Sequence, residues 1–136
     1  MATSGTLKVH IIEAKLERDT EAIGKMDPYC IVNMRMQRIR TKTAMDEGKQ
    51  PTWDNEKFDL DVKYIGDDMH LEVFDEDPCD SDLVGSANIK LSAMCMNGGF
   101  DEWYEIQFKG RRAGAVHIKG EWHPRGEMLV AVPIGQ

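Results

Sequence analysis

The chain has 136 residues, and its 24 acidic residues against 17 basic ones give a formal net charge of −7. Hydrophobic residues make up 41% and charged residues 30%, which excludes global disorder and, at this length, favours a single domain. Because general nucleic-acid binding needs a basic surface, nucleic acid is not an expected partner. The longest apolar run, residues 128–132, is too short to cross a membrane.

Eight short segments, taken in chain order, have the features of β-strands. Apolar and polar residues alternate along most of them, and turn-forming residues separate them. The segments are residues 7–12, 29–34, 39–43, 58–62, 69–73, 84–89, 103–108 and 116–122, and a single helical turn is predicted around residues 91–96. Strands without intervening helices indicate an all-β fold, an antiparallel sandwich or barrel. We expect one domain over residues 1–125 and a C-terminal tail over residues 126–136.

Two predicted loops contain many of the acidic residues, one over residues 16–28 and the other over residues 74–85. In the second loop, Asp75 and Asp77 flank a single residue, and Asp82 follows five positions later. Crowded carboxylates repel one another unless they are solvated or a cation joins them. Calcium suits such loops because it takes about six to eight oxygen ligands, although aspartate is also common in ordinary turns.

The second loop does not follow the EF-hand pattern, which needs a glycine at the sixth position and a glutamate at the twelfth. Counted from Asp75, these positions are occupied by Asp80 and Ser86. If this loop binds calcium, it does so in another kind of site.

Several motifs follow one another in order along the chain. They are Gly5-x-Leu7-x-Val9-x-Ile11, Asp27-Pro28-Tyr29, Gln50-Pro51-x-Trp53, Leu71-x-Val73-x-Asp75-x-Asp77 with Asp82-x-x-Gly85, Trp103-Tyr104, and Gly114-x-Val116-x-Ile118. This succession resembles the C2 domain family over about residues 5–123, and the small chain is most similar to the elicitor-responsive C2 proteins of plants. The resemblance implies an eight-stranded antiparallel β-sandwich of phospholipase C-type topology, with calcium-binding loops at one end.

The resemblance also implies a set of calcium ligands in the two acidic loops. By the family pattern, Ca²⁺ is bound by the side chains of Glu21, Asp27, Asp75, Asp77 and Asp82, by the backbone carbonyls of Met26 and Glu76, and by the auxiliary side chains of Asp19 and Asp80. The family usually has aspartate at the position of Glu21. The extra methylene of glutamate moves the carboxylate outward, which predicts a lower calcium affinity.

Calcium binding of this kind implies an electrostatic switch at an anionic phospholipid membrane. Without calcium, the five acidic ligands repel the membrane, whereas two bound ions would bring four positive charges and accept oxygens of lipid headgroups. The resemblance therefore implies a cytoplasmic protein that binds membranes peripherally when calcium is present. Shallow insertion is expected at the loop tips, with Ile23 and Cys79 as contacting residues; alternatively, Ile23 folds inward.

Three basic residues, Arg38, Arg40 and Lys42, alternate with uncharged residues along one predicted strand. Strand periodicity places them on one face, and in many C2 domains a basic face of this kind binds phosphoinositides. The alternative is that they pair across strands with Asp59 and Asp61, which alternate with apolar residues and so point outward. Such pairs would cancel much of the positive field.

The other reactive residue types give no sign of a catalytic site. Cys30, Cys79 and Cys95 lack the spacing of a metal site, and we interpret them as reduced cytosolic thiols. No nucleophile motif, phosphate-binding loop or zinc signature occurs in the sequence, so an enzyme is not expected. We interpret the three tryptophans as packing residues: Trp53, Trp103 and Trp122.

Two functions from different classes remain open. The first is a calcium-dependent phospholipid-binding module that acts as a monomer in membrane targeting or signalling. The second is a calcium-independent interaction module that docks on a protein partner in a larger assembly through the sandwich and the tail, residues 126–136. The four aspartates favour the first, whereas Glu21 and the apolar run of the tail favour the second. The N-terminal residues have no basic segment followed by an apolar one, so no secretory signal is expected.

Overall fold

Eight β-strands follow one another along residues 2–126, the part of the chain that the computed structural model describes. The strands are β1 (Gly5–Leu16), β2 (Pro28–Met34), β3 (Gln37–Arg40), β4 (Lys57–Val62), β5 (Asp68–Asp75), β6 (Asp82–Lys90), β7 (Gly99–Phe108) and β8 (Arg111–Pro124). A helical turn, α1 (Leu91–Met94), and a 3₁₀ turn (Met96–Gly98) connect β6 to β7. These elements confirm the predicted all-β fold. The predicted tail lies outside the described residues from position 127 onward.

Alternating hydrophobicity gives these strands one buried face. In β5, Met69, Leu71 and Val73 are fully buried, whereas His70 and Glu72 between them are only partly buried. Successive side chains of a strand point to opposite faces, so the apolar set of β5 lies on the inner side of the sheet.

The strands form one continuous antiparallel arrangement in the order β3-β2-β5-β6-β7-β8-β1-β4. A single residue pair, Ser86 with Gln107, joins β6 to β7, so the arrangement consists of two four-stranded halves. The outer strands β3 and β4 lie close together and are joined by one side chain. Gln37 Nε2 donates to the Asp61 carbonyl at 2.7 Å, and the Asp61 amide donates to Gln37 Oε1 at 2.8 Å. The nearly closed eight-stranded sandwich confirms the expected C2-like fold and its phospholipase C-type topology.

The hydrophobic core fills the space between the two halves. Both halves contribute fully buried side chains: Leu7, Ile11, Leu60, Ile106 and Ile118 from one, and Val32, Met69, Leu71 and Val84 from the other. Trp53 is 4% exposed and its indole donates to the Pro28 carbonyl at 3.3 Å, as expected for a packing residue. The same interpretation is wrong for Trp103, which is 41% exposed and stacks on His117 with ring centroids 5.0 Å apart.

The third strand covers Gln37–Arg40. The predicted bounds, residues 39–43, are therefore wrong. The strand begins after Arg35, whose φ of 51° makes the turn out of β2. It ends before Thr41, whose amide still donates to the Cys30 carbonyl at 3.0 Å while the Cys30 amide donates to the Thr41 hydroxyl at 2.9 Å. The next amide, that of Lys42, donates to the buried carboxylate of Glu56 at 2.7 Å.

Candidate functional site

Strand pairing brings the two acidic loops together at one end of the sandwich. Pro28, the first residue of β2, pairs with Asp75, the last residue of β5, and Asp75 also pairs with Asp82 at the start of β6. Asp27 precedes Pro28, so it lies beside Asp75 as well. Three of the predicted ligands therefore lie at neighbouring strand ends although 55 residues of sequence separate the first from the last.

Asp75 is the centre of this arrangement, and its side chain is fully buried. One carboxylate oxygen accepts from the Asp27 amide at 2.8 Å, and the other accepts from Thr20 Oγ1 at 2.7 Å. A buried carboxylate needs such donors, because an uncompensated charge would be costly to bury. Each oxygen keeps a further lone pair, so the two hydrogen bonds hold the carboxylate in place without excluding a cation.

Asp27 ties a third loop to this end of the sandwich. Its Oδ1 accepts from the Asp46 amide at 2.5 Å, and its backbone carbonyl accepts from the Glu76 amide at 2.9 Å. The carbonyl of Met26, a predicted ligand, accepts from the Gly48 amide at 3.0 Å. These bonds connect the first acidic loop to the β5–β6 loop and to the segment that follows β3.

Glu21 lies within the electrostatic field of the other predicted ligands. Its pKa is raised above the ordinary value, mainly by the charge of Asp75, then by partial desolvation, and further by Asp77, Asp82 and Asp27. Negative neighbours of this kind favour the protonated form of a carboxyl. The other four predicted acidic ligands therefore all act on Glu21 at this end of the sandwich.

The predicted auxiliary residues are placed differently from one another. Asp19 Oδ1 accepts from the Glu21 amide at 2.9 Å, so Asp19 shapes the first loop. Asp80 is exposed in the β5–β6 loop. Within residues 2–126, no three Asp, Glu, His or Cys side chains already converge as a formed metal site would. The carboxylates are near one another, but their oxygens do not surround a common position. The calcium ligands therefore stay a prediction.

The loop tips point into solvent. Ile23 is 91% exposed, next to Gly24 with a φ of 83°, and Cys79 is also exposed. The alternative in which Ile23 folds inward is therefore wrong. An isoleucine this exposed at the end of a loop is available for an apolar contact.

The predicted basic face is exposed on β3 and on the segment that follows it. Arg38, Arg40 and Lys42 are all exposed, while Thr41 between the last two is buried. Arg40 pairs with Glu76 of the β5–β6 loop and lies 3.7 Å from the centroid of the Tyr29 ring. Neither Arg38 nor Lys42 has an ion-pair partner within the described part of the chain.

The expected cross-strand pairing of this basic face with Asp59 and Asp61 is wrong. Asp59 pairs with Lys8 at 3.4 Å, and Asp61 pairs with Lys63 at 2.8 Å and Arg125 at 3.0 Å. The reason is the strand order, since β3 pairs with β2 whereas β4 pairs with β1. The positive field of Arg38 and Lys42 is therefore not cancelled by these two aspartates.

Sequence reasoning missed Thr20 and Asp46, which hold the carboxylates of Asp75 and Asp27. Thr20 has no motif of its own, and the amide of Asp46 acts through the backbone. No sequence signal could have identified either residue.

None of the helices within residues 2–126 combines the length and the apolar character that crossing a membrane requires.

The chain is similar to parts of larger proteins. It is 32% identical over 123 residues to extended synaptotagmin-3 of Mus musculus, in a match that covers 87% of this chain and 13% of that protein. It is 28% identical over 123 residues to synaptotagmin-4 of Arabidopsis thaliana, covering 89% of this chain and 21% of that protein. The chain thus spans about a fifth or less of the length of these curated relatives.

Solved structures with the same fold include both tandem and single domains. The tandem C2A and C2B domains of extended synaptotagmin 2 match with a TM-score of 0.78 at 30% identity, over 90% of this chain and 42% of that one. A C2 domain-containing protein from a candidate elicitor-responsive gene matches with a TM-score of 0.76 at 28% identity, over 93% of each chain. The family model described as C2 domain matches residues 5–106. The chain therefore belongs to the C2 domain family.

Proposed function

We propose that the protein binds anionic phospholipid membranes in a calcium-dependent manner, as a peripheral module of membrane targeting or signalling that is cytoplasmic without calcium. Membership of the C2 domain family supports membrane binding. The calcium-bound form of the extended synaptotagmin 2 C2A and C2B domains, which matches with a TM-score of 0.76 at 30% identity, supports calcium as the ion. The proposed role is non-catalytic.

The observation that carries the proposal is the mutual position of the acidic side chains. Asp75 is anchored by Thr20 and by the Asp27 amide, and its charge is the largest cause of the raised pKa of Glu21. Like charges this close repel one another, and a bound cation would remove that repulsion between the carboxylates. Calcium fits because it takes carboxylate and carbonyl oxygens in a flexible geometry.

In this proposal the ligands come from both loops. The β5–β6 loop and its flanking strands supply Asp75, Asp77 and Asp82, while the first loop supplies Glu21 and Asp27. Met26 and Glu76 add backbone carbonyls, and Asp80 adds an auxiliary oxygen. The carboxylate oxygens do not yet surround a common position. In this proposal, a small movement of the exposed side chains completes the coordination shell of calcium.

Bound calcium would convert a repulsive end of the molecule into an attractive one. The five predicted acidic ligands carry five negative charges in a protein of net charge −7, so without calcium they repel an anionic membrane. Calcium with incomplete coordination accepts phosphate or carboxylate oxygens from lipid headgroups. The exposed Ile23 and Cys79 then contact the headgroup region, and Arg38, Arg40 and Lys42 add attraction along the neighbouring strand.

A second candidate is a calcium-independent module that docks on a protein partner. Both carboxylate oxygens of Asp75 accept hydrogen bonds from the protein itself, so this buried charge is compensated by groups of the chain. Glu21 in place of aspartate also favours this candidate, because it lengthens a ligand.

Sedimentation with vesicles separates the two candidates. The vesicles contain phosphatidylcholine with or without phosphatidylserine, and the protein is tested with calcium or with EDTA. Calcium-dependent sedimentation with the anionic vesicles alone is the expected result. The Asp77→Asn variant and the Asp75→Asn/Asp77→Asn double variant should lose it, while the matched Asp54→Asn/Asp68→Asn variant keeps it. Equal sedimentation of the parent in calcium and EDTA would contradict the proposal.

A further inference from the structure

A row of three basic side chains crosses the half of the sandwich opposite the β3 basic face. In the antiparallel ladders, His10 of β1 pairs directly with Lys57 of β4 and with Lys119 of β8. Directly paired residues point to the same side of a sheet. The neighbours of His10 on β1, Val9 and Ile11, are buried, so the row Lys57–His10–Lys119 faces outward.

The acidic residues around this row already have partners. Asp59 pairs with Lys8 at 3.4 Å, and Glu121 contacts His123 at 3.1 Å. Asp101, which pairs with Lys119 in the ladder, has its carboxylate 2.5 Å from His117 Nε2. Among residues 2–126, neither Lys57 nor Lys119 takes part in an ion pair. Like charges placed opposite each other destabilise a sheet. The repulsion between the side chains of this row is therefore not relieved by an ion pair within the described residues.

The row forms one wall of a groove of about 650 Å³ that runs across β4, β1 and β8. Lys8 stands on the opposite wall between its ladder partners Asp59 and Glu121. The row between the two walls contains Val9, Phe58 and Gly120, so backbone forms the floor there. Gly120 allows β1 and β8 to approach closely at this point, because a Cβ there would come within 2.2 Å of the Lys8 carbonyl oxygen. The basic row thus borders a depression and not a flat face.

The charges that act on His10 come from each strand packed beside it. Partial burial lowers the pKa of His10, and Lys57 on β4 and Lys119 and His117 on β8 lower it further. Lys8 and Glu13 are the nearest charged residues on β1 itself, and Glu13 contacts His117 at 3.3 Å. The positive neighbours therefore prevail at His10 in the unliganded protein.

We propose that this groove binds a phosphate group, supplied either by a free phosphorylated compound or by a lipid headgroup. Neighbouring strands are about 4.8 Å apart, so the backbones of Lys57 and Lys119 are separated by about 10 Å, with His10 between them. Two lysine side chains on flexible four-carbon stems can converge over this distance on one phosphate. A phosphate dianion above His10 would also favour the protonated imidazole, which then donates to it.

The site is independent of the proposed calcium site. The groove lies on the outer face of β4, β1 and β8. The two calcium loops connect β1 to β2 and β5 to β6 at one end of the sandwich, and Arg38 lies on β3 in the other half. Binding in the groove should therefore persist in EDTA, and it should not require Asp75 or Asp77.

The test follows the pKa of His10 by NMR in EDTA, first in a phosphate-free buffer and then with inorganic phosphate or inositol 1,4,5-trisphosphate. The expected result is a rise of about one pH unit in the pKa of His10 with either compound. The Lys57→Gln/Lys119→Gln variant should bind inositol trisphosphate roughly tenfold or more weakly and lose the pKa rise. Both lysines are exposed, so this variant should fold as the parent does.

A matched variant, Lys49→Gln/Lys109→Gln, removes two exposed positive charges that lie outside the groove and should retain the groove response. Absence of any pKa rise in the parent would overturn the proposal. A rise that survives in the Lys57→Gln/Lys119→Gln variant, or one that disappears in the Lys49→Gln/Lys109→Gln variant, would overturn it as well.

The source of the phosphate is determined with vesicles in EDTA that contain phosphatidylinositol 4,5-bisphosphate. Sedimentation that depends on Lys57 and Lys119 assigns the groove to a lipid headgroup. Binding of the soluble compounds without sedimentation assigns it to a free ligand. Both results support the groove as a phosphate site.

Discussion

The guanidinium of Arg40 binds the carboxylate of Glu76, so the basic strand and the β5–β6 acidic loop are joined. The same guanidinium lies 3.7 Å from the Tyr29 ring centroid, in a geometry that suits a cation–π contact. Glu76 stands between Asp75 and Asp77 in the sequence, but its side chain is held by Arg40 and by Thr43 Oγ1 at 3.0 Å. Arg40 is therefore a connection between the two surfaces as well as a member of the basic face.

Replacing Arg40 with glutamine should raise the pKa of Glu76. The pKa of this carboxyl is held below its ordinary value first by the hydrogen bond from Thr43 and then by Arg40. With Arg40 removed and Thr43 retained, the pKa should move only part of the way toward the ordinary value. Carboxyl NMR titration of Glu76 in Arg40→Gln and in Thr43→Val measures both contributions. The Arg38→Gln variant, which changes the same charge without a contact to Glu76, should leave the pKa unchanged; a shift of equal size in that variant would contradict the ion pair.

The depressed pKa of Glu76 also sets the sign of a stability effect. A carboxyl whose pKa is lower in the folded state contributes stability that is present above its unfolded pKa and is lost as the pH falls through the folded value. The difference in stability between the parent and Arg40→Gln should therefore shrink below the ordinary carboxyl range. Urea unfolding near neutral pH and in acid tests this trend.

Calcium should raise the melting temperature of the protein. An ion that binds the folded state alone stabilises it by about 2.7 kcal/mol when its free concentration is about 100 times the Kd. Magnesium should do less, because it needs a tight octahedral shell and loses water reluctantly. Differential scanning fluorimetry in EDTA, magnesium and calcium checks this order. The Asp54→Asn/Asp68→Asn variant should retain the calcium shift and Asp77→Asn should reduce it, whereas a parent that melts identically in EDTA and calcium has no calcium site.

Much of the strand framework could be predicted because its signal is local. The alternation of Met69, Leu71 and Val73 with polar residues decides which face of β5 is buried, and the motif at Asp27 and Pro28 marks the start of β2. The position of the acidic loops at one end of the sandwich followed from the resemblance and agrees with the pairing of Pro28 and Asp75.

The contacts that depend on strand order could not be predicted in the same way. The sequence pattern offers Asp59 and Asp61 as cross-strand partners of Arg38, Arg40 and Lys42. Their actual neighbours are set by the pairing of β4 with β1, which no local pattern reveals. The stacking of Trp103 on His117 has the same origin, since it depends on the pairing of β7 with β8. The row Lys57–His10–Lys119 also could not be predicted, because it depends on the registers of β4, β1 and β8.

His117 should make part of the stability dependent on pH. The pKa of His117 is raised above its ordinary value mainly by the hydrogen bond to Asp101; burial opposes this, and the hydrogen bond to Glu13 adds a further, smaller rise. A group whose folded pKa is raised contributes stability that is fully present below the unfolded value of about 6.5 and is lost as the pH rises through the folded value. The parent should therefore lose more stability than His117→Gln between mildly acidic and mildly alkaline pH.

Trp103 provides a second measurement of the same titration. Its ring stacks on His117 at an interplanar angle of 18°, so the charge on the imidazole should alter its fluorescence. A fluorescence transition with a midpoint above 6.5 is expected in the parent, with a lower midpoint in Asp101→Asn. If the midpoint is the same in both proteins, Asp101 is not the cause of the raised pKa.

The departure at Glu21 gives the sharpest test of the first loop. If Glu21 occupies the ligand position, its longer side chain is a compromise there, so Glu21→Asp should tighten calcium binding and lower the calcium needed for vesicle binding. Glu21→Ala should weaken both, because the site would lose one of its five carboxylates. Asp19→Ala should weaken them less, since Asp19 Oδ1 is engaged with the Glu21 amide at 2.9 Å and acts on the ion only through the loop. Calcium titration of the three variants and the parent on anionic vesicles measures this order. A larger loss in Asp19→Ala than in Glu21→Ala would show that the register assigned to the first loop is wrong, and equal behaviour of all four proteins without vesicle binding would favour the docking module.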